Sequence, residues 1–277
     1  MLRKIYYRLP PAVRLLARKL VYLPTDLLRS DTIAPPKGLI YTGGGDFIKT
    51  GEDWRAFFIE HGKLEKHHNA LDIGSGIGRM ALPLTSYLTK GTYHGFEAMK
   101  VGVDWCKENI EKKHSNFHFK HVPLHNDLYN ADGIDAATYE FDYPANHFHL
   151  AFAISVFTHM IPEELENYLK ETAKVLKPGG RLAATFFILD EESEALMKKP
   201  NQSTAASLTG NAFTFDYHYG NYSLMDDKVK SANVAFQREY LMELVAKYGF
   251  VLEREIKGSW CGRKKEEEIG YQDVLVL

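Results

Sequence analysis

The order of apolar and polar positions divides the chain into a short helical arm and a long region in which helical and strand-like patterns alternate. Between residues 9 and 23, Leu9, Val13, Leu15, Leu16, Leu20, Val21, Tyr22 and Leu23 are interleaved with Arg14, Arg18 and Lys19, the spacing of an amphipathic helix. Pro11 is tolerated in a first turn, and Pro24 is expected to stop the helix. A connector over 33–45, punctuated by Pro35, Pro36 and Gly38 and ending in Gly43, Gly44 and Gly45, reads as a loop.

From about residue 52 the pattern predicts a helix over 52–60, a buried strand at 70–73, a glycine turn, a helix over 79–88, a strand at 92–96, a helix over 101–112 and a strand near 117–122. A strand at 149–155 follows. Pro162 then opens a helix to 176, which Pro178, Gly179 and Gly180 terminate before a strand at 181–189. A helix over 237–248 ends at Gly249 and precedes strands at 250–256 and 271–277. This alternation predicts an α/β fold, a doubly wound and mostly parallel sheet with helices on both faces. The last two strands lack a crossover helix and are expected to form an antiparallel pair at one edge. Residues 190–235 are too long for a plain connection and are expected to form an inserted cap. The arm and connector thus occupy 1–45, and one domain carrying the cap occupies 46–277.

Charge changes this picture only at the N-terminus. The whole chain has a formal net charge of −2, so nothing calls for a nucleic-acid partner held by phosphate neutralisation. The two cysteines, Cys106 and Cys261, stand far apart in sequence and give no disulfide framework or zinc spacing, which fits a reducing, cytoplasmic compartment. Residues 1–29, by contrast, hold Arg3, Lys4, Arg8, Arg14, Arg18, Lys19 and Arg29 against the single acid Asp26. The charges interrupt every apolar run, so neither a secretion signal nor a membrane span is expected. Two readings remain open: a helix lying on an anionic membrane surface, or one packed on the domain with its charges solvated.

The chemical signal is Leu71-Asp72-Ile73-Gly74-Ser75-Gly76-Ile77-Gly78-Arg79. A strand ending in glycines that opens a helix lets a ligand approach the backbone, because no Cβ intrudes. Dinucleotide-binding chains place a third fingerprint glycine where Arg79 stands, whereas the glycines here alternate, which favours a nucleoside without pyrophosphate. At the end of the next strand, Gly95-Phe96-Glu97 offers a carboxylate able to accept two hydrogen bonds from ribose hydroxyls, with Ala98 beside it. Either piece alone is equally compatible with a tight turn or a surface acid. Four histidines, His114, His118, His121 and His125, invite a metal reading, but a helix end, a strand and a loop would scatter them, and no metal is expected.

Taken together with Val156-Phe157-Thr158-His159-Met160 and Leu176-Lys177-Pro178-Gly179-Gly180, these residues resemble the class I S-adenosylmethionine-dependent methyltransferase family over about residues 42–189. The resemblance implies a Rossmann-like methyltransferase fold with S-adenosyl-L-methionine as cofactor. It places the methionine part of the cofactor on the loop Gly74, Ser75, Gly76, Gly78 and Arg79, gives Asp72 the ordering of that loop and Glu97 the ribose, and puts Ser155 near the transferable methyl group. The segments Gly-Gly-Asp-Phe at 44–47, Gly-Arg-Met-Ala-Leu-Pro-Leu at 78–84 and Gly-Ser-Trp-Cys-Gly-Arg at 258–263 are similar to a bacterial subgroup often found with polysaccharide or glycolipid genes. Many relatives follow the third strand with an acid that meets the adenine. Here the chain reads His121-Val122-Pro123-Leu124-His125-Asn126, so adenine is left to backbone and apolar packing or to the 127–142 segment, with His125 and Phe141 as candidates. His149 stands where the family commonly has an acid and is read as a strand-edge residue.

Methyl transfer from such a cofactor asks the protein for alignment, desolvation and, with a hydroxyl acceptor, a base. His159 is the first candidate base; its alternative role is to hold its loop by hydrogen bonds. In the cap, Phe213, Phe215, Asp216, Tyr217, His218, Tyr219 and Tyr222 could stack a sugar or planar acceptor, with His218 and Asp216 as acceptor contacts, or the Phe residues could form a small core. The expected acceptor is a small molecule, sugar or glycolipid, methylated on oxygen. A non-catalytic scaffold of the same fold and an NAD-dependent oxidoreductase are the rival readings.

Overall fold

The computed structural model describes residues 10–30, 33–125, 133–198, 214–264 and 269–277. Its centre is a seven-stranded sheet in the order β10-β11-β5-β4-β1-β2-β3. These strands are β1 (Ala70–Ile73), β2 (Tyr93–Glu97), β3 (Phe117–His121), β4 (Phe148–Ala153), β5 (Leu176–Phe186), β10 (Arg254–Ile256) and β11 (Asp273–Val276). The pairs β1·β2, β1·β4, β2·β3 and β4·β5 are parallel, and β11 runs antiparallel to both β5 and β10. This is the expected doubly wound sheet with its antiparallel edge. The chain winds outward from β1 through β2 and β3, then returns to β4 on the other side. The carboxyl ends of β1 and β4 therefore part, and a crevice opens between them.

Alternation along the buried strands feeds two apolar layers. Leu71, Ile73 and Phe96 face one layer, with Leu165, Leu169 and Leu241. Ala70, Tyr93 and Phe152 face the other, with Trp54, Phe58 and Val103. The helices behind these residues are α2 (Phe47–Glu60), α3 (Ala81–Leu84), α4 (Lys100–Cys106, continued by a π-helical turn, Lys107–Glu111), α5 (Pro162–Val175) and α7 (Arg238–Lys247). The helix expected over 52–60 begins earlier because Asp46 accepts the Lys49 N–H at 2.9 Å and caps it, a contribution of about 1 kcal/mol.

Three elements depart from the expected pattern. The helix expected over 79–88 is regular only over Ala81–Leu84: the Thr85 and Ser86 hydroxyls donate to the Leu82 and Pro83 carbonyls at 2.6 and 3.1 Å, an alternative to continuing the helix. The arm helix α1 (Pro11–Leu27) does not stop at Pro24 but carries it in its last turn. Its end is held from outside, where Asp26 accepts the Lys37 and Gly38 N–H groups at 2.7 and 2.9 Å. The Pro178-Gly179-Gly180 stretch lies within β5 rather than before it, as an irregularity in the pairing with β4, with Gly179 at φ +76°.

The cap region holds α6 (Glu191–Met197) and a second, four-stranded sheet in the order β6-β9-β8-β7. Its strands are β6 (Ile188–Leu189), β7 (Tyr217–His218), β8 (Tyr222–Leu224) and β9 (Val234–Gln237). Phe215 is buried against Phe187 and Trp260, with ring centroids 5.3 and 5.7 Å away, which makes it part of a small core. Phe213 lies outside the described residues.

One carboxylate ties the cap edge to the main sheet. Asp273, 2% exposed on β11, accepts the Ile188 N–H and the Trp260 indole N–H at 2.8 and 2.7 Å on one oxygen and the Gly258 N–H at 2.7 Å on the other. The Gly-Ser-Trp-Cys-Gly-Arg segment is thus wrapped around this acid. Asp273→Ala strands three buried donors and is expected to lower unfolding free energy by about 3–5 kcal/mol. Denaturant titration checks this, and a loss below about 1 kcal/mol would mean that the donors find other partners.

Candidate functional site

At the carboxyl ends of β1, β2 and β4 lies a cavity of about 990 Å³. Its floor is the turn after β1, where Gly74, Gly76 and Gly78 have φ of +77°, +56° and +79°. This left-handed backbone strains any residue with a Cβ. At Gly74 a Cβ would also meet Val156 at 2.5 Å, and at Gly78 it would meet Cys106 at 2.8 Å. At Gly76 the nearest atom would be the Thr42 hydroxyl at 3.3 Å, so here the backbone, more than space, requires glycine. Gly74, Ser75 and Gly76 line the cavity, whereas Gly78 lets the turn pack on α4.

Glu97 ends β2 beside this turn. One carboxylate oxygen accepts the Gly76 N–H at 2.9 Å and the other the Met99 N–H at 2.8 Å. Burial raises its pKa, and these donors pull it back down. Each oxygen has a second lone pair with which to accept from a ligand hydroxyl. Ala98, held through its carbonyl by His121 at 3.1 Å, lines the same wall.

Asp72 lies one layer deeper, 3% exposed, and accepts the Tyr93 hydroxyl at 2.5 Å. Burial pushes its pKa up to about 7; the Tyr93 bond opposes this and the charge of Glu97 adds to it. Gly95 makes the arrangement possible, since a Cβ there would meet Ser75 at 2.8 Å and the Tyr93 hydroxyl at 3.0 Å.

The other wall follows β4. Ser155 has φ +58°, its N–H donates to the Thr185 hydroxyl at 2.7 Å, and its own hydroxyl donates to Gln272 at 2.8 Å. His159 ends the short 3-10 turn Phe157–His159 and lines the cavity. Its Nδ1 is 2.7 Å from the Ser231 carbonyl oxygen. A carbonyl only accepts, so Nδ1 carries the proton and Nε2 is the basic nitrogen. His125 also lines the cavity, beyond β3.

Arg79 lines the cavity with its guanidinium engaged by the connector, whereas Phe141, His218 and Asp216 do not line it. Arg79 donates to the Thr42, Gly43 and Gly44 carbonyls at 3.1, 3.3 and 2.8 Å and stands over the Phe47 ring; at the cavity edge it clamps the connector over the glycine turn. Phe141 is 2% exposed in the core, edge-to-face with Phe96 and Tyr168 at 5.1 Å each, and does not line the cavity. His218 is exposed on β7, with Nδ1 2.9 Å from the Ser223 hydroxyl, and Asp216 is exposed just before it; neither lines the cavity. Of the loop weighed for adenine contact, residues 126–132 lie outside the described residues.

The histidines weighed for metal do not share a place. His118 packs on His94, His121 holds Ala98, and His125 faces the cavity. His149 sits at the far end of the sheet, stacked on His68 at 4.2 Å and accepting the Asn69 N–H, and burial together with the neighbouring charges of His68 and Lys177 lowers its pKa to about 4. Sequence reading missed Tyr41, Thr42, Asn233, Tyr271 and Gln272, all in the cavity lining. They come from a connector read only as a loop and from segments more than a hundred residues downstream.

A glycine cradle and a ribose-competent carboxylate at the switch point of a doubly wound sheet, with Arg79 in place of the third dinucleotide glycine, define a nucleoside-cofactor site of the methyltransferase class. Residues 71–184 match the methyltransferase domain family. Residues 71–184 thus form a methyltransferase domain, and S-adenosylmethionine is its cofactor. Solved structures share the fold. A protein from Pyrococcus horikoshii is similar at 17% identity and TM-score 0.57, with 86% of this chain and 93% of that one covered. A S-adenosylmethionine-dependent methyltransferase from Clostridium acetobutylicum is similar at 12% identity and TM-score 0.53, covering 94% and 98%. The [4+2]-cyclase SpnF is similar at 19% identity and TM-score 0.50; 78% of this chain matches 62% of that one.

Two outcomes follow from this geometry. Glu97→Ala and Gly76→Val are each expected to abolish S-adenosylhomocysteine binding in a folded protein, the first by removing the ribose acceptor and the second by straining the turn. Calorimetry decides it, and unchanged affinity in both variants would refute the placement of the cofactor. The second outcome concerns pH. The folded chain keeps the Asp72 proton up to about 7, whereas the unfolded carboxyl releases it near 3.8. Unfolding then releases a proton between those values, so stability falls as pH rises through that window. Asp72→Asn is expected to flatten this slope in melts of the ligand-free protein, and an unchanged slope would assign it to other groups.

Proposed function

We propose that the methyl group is delivered to a hydroxyl oxygen of a sugar or glycolipid, in the cytoplasm, where the arm makes peripheral contact with an anionic membrane. The observation that carries the oxygen acceptor is the His159 tautomer: the Ser231 carbonyl at 2.7 Å holds the proton on Nδ1 and leaves a basic Nε2 on a ring that lines the cofactor cavity. A hydroxyl must lose its proton as it attacks, and a neutral imidazole with this orientation accepts it.

S-adenosylmethionine, when bound, supplies a methyl group already activated on a sulfonium. The chain's own residues supply the rest. Glu97 would hold the ribose and the glycine turn the methionine part, Ser155 and its bond to Gln272 shape the wall beyond them, and Arg79 keeps the connector closed over the turn. The cavity, about 990 Å³, lies at the upper end of the range of about 300–1,000 Å³ for ligand sites. Asn233, Tyr271 and Gln272 line part of it and offer hydrogen-bond partners suited to sugar hydroxyls. The resemblance of three segments to a polysaccharide-associated subgroup supports the same acceptor class.

The same His159 bond also ties the turn after β4 to the 3-10 turn Lys230–Ala232 of the cap, so a purely structural role must be separated from a catalytic one. Methyl-label transfer over free and lipid-linked glycan fractions tests activity and acceptor together. His159→Ala is expected to lower turnover roughly a hundredfold with cofactor affinity unchanged. Loss of stability with turnover per folded molecule preserved would sink the base assignment, and cofactor binding without label transfer to any fraction would favour a scaffold.

A further inference from the structure

The arm helix α1 presents two unlike sides. Toward the domain, Arg14, Leu15 and Arg18 line the cofactor cavity, and Arg14 is only 7% exposed. This differs from the basic face that an isolated amphipathic helix would turn to a membrane. Toward solvent, Val13, Leu16, Leu20, Leu23 and Leu27 are 45%, 58%, 62%, 49% and 75% exposed. At 3.6 residues per turn these five fall within an arc of about 80°, on the side of the helix opposite Arg18. Val21 and Leu28, 71% and 87% exposed, flank the stripe.

Scattered exposed leucines need no explanation, but a continuous apolar stripe on one helix marks a contact surface. Charge points to the occupant. The stripe belongs to an arm with seven basic residues and one acid, Asp26, and Asp26 is already committed to two backbone N–H groups. Lys19 flanks the stripe and is exposed, and Arg3, Lys4 and Arg8 precede the helix in sequence. An apolar stripe bordered by cations fits an anionic lipid surface. No described helix is long and apolar enough to cross a membrane, so the helix would lie in the interface.

We propose that α1 inserts this stripe into the headgroup layer of an anionic membrane, and that the catalytic cavity, which the other side of the same helix walls, is thereby held one helix away from that surface, close to an acceptor held in lipid. The proposal rests on the glycolipid reading for the identity of the acceptor, but the placement of α1 stands apart from it. Apolar residues provide the attachment, with the stem of Arg18 and its stacking over Tyr22 at 5.2 Å holding the opposite side of the helix together. One short helix of this kind binds reversibly, so the enzyme can leave the surface with its product released.

The test uses the full chain with S-adenosylhomocysteine present. Co-sedimentation is expected with phosphatidylcholine vesicles containing about a third phosphatidylglycerol, and less with phosphatidylcholine alone. Leu16→Ser/Leu20→Ser/Leu23→Ser is expected to reduce the vesicle-bound fraction by at least about tenfold, with melting temperature and S-adenosylhomocysteine affinity unchanged. A second variant, Leu20→Trp, keeps the stripe apolar and should add a fluorescence component that shifts to the blue on vesicle addition. Unaltered sedimentation of the triple variant, or no shift from Leu20→Trp, overturns the proposal. So does a large fall in the melting temperature of the triple variant, which would mean that the stripe packs on the chain itself. A wild-type dimer that the triple variant dissolves in sedimentation velocity would assign the stripe to a second copy instead. None of these readouts involves methyl transfer, so a wrong acceptor class leaves them standing, and a failed vesicle experiment leaves label transfer to free glycans intact.

Discussion

The cofactor site depends on the buried carboxylate of Glu97, which joins two turns that would otherwise be independent. One oxygen holds the Gly76 N–H of the turn after β1, and the other holds the Met99 N–H of the turn after β2. Charge-assisted bonds of this kind are roughly twice as strong as neutral ones, and both donors would be costly to bury unsatisfied. Glycine gives the turn its left-handed conformation without steric cost, and the Glu97 bond fixes the direction of the Gly76 N–H within it. Arg79 extends the arrangement to the connector by donating to three of its carbonyls.

What the sequence made legible was the part of this arrangement that is local. A strand, alternate glycines and a second strand ending in an acid lie within about thirty residues, and their meaning follows from backbone sterics and parallel pairing. The parallel sheet and its antiparallel edge were legible for the same reason, since strand spacing decides whether a crossover fits. The second sheet was not legible. Its strands run two to four residues, too short for an alternation to be read, and β6 pairs with β9 across nearly fifty residues.

Side-chain roles failed where tertiary contacts outweighed local preference. Arg79 stands next to the glycines in sequence and read as a cofactor contact, yet its guanidinium is occupied by the carbonyls of residues 42–44. Phe141 read as an adenine face because it follows β3, but the chain returns there into the core between Phe96 and Tyr168. Pro24 read as a helix stop, and Asp26 holds the turn beyond it through backbone groups of the next segment. The Ser155 contact with Gln272 joins residues 117 apart, and no pattern along the chain announces it.

The raised acids follow from the same strand geometry. Asp72 and Glu97 are both buried, both titrate higher than free carboxyls, and Glu97 contributes to the shift at Asp72. Keeping two carboxylates so close in a largely apolar cavity is unfavourable while the cavity holds no cation. The proximity comes from where β1 and β2 end, since adjacent parallel strands bring Asp72 opposite Gly95 and place Glu97 two residues further along the same face. Fold topology thus reaches the protonation of the site, because strand register decides how near the two carboxyl groups stand.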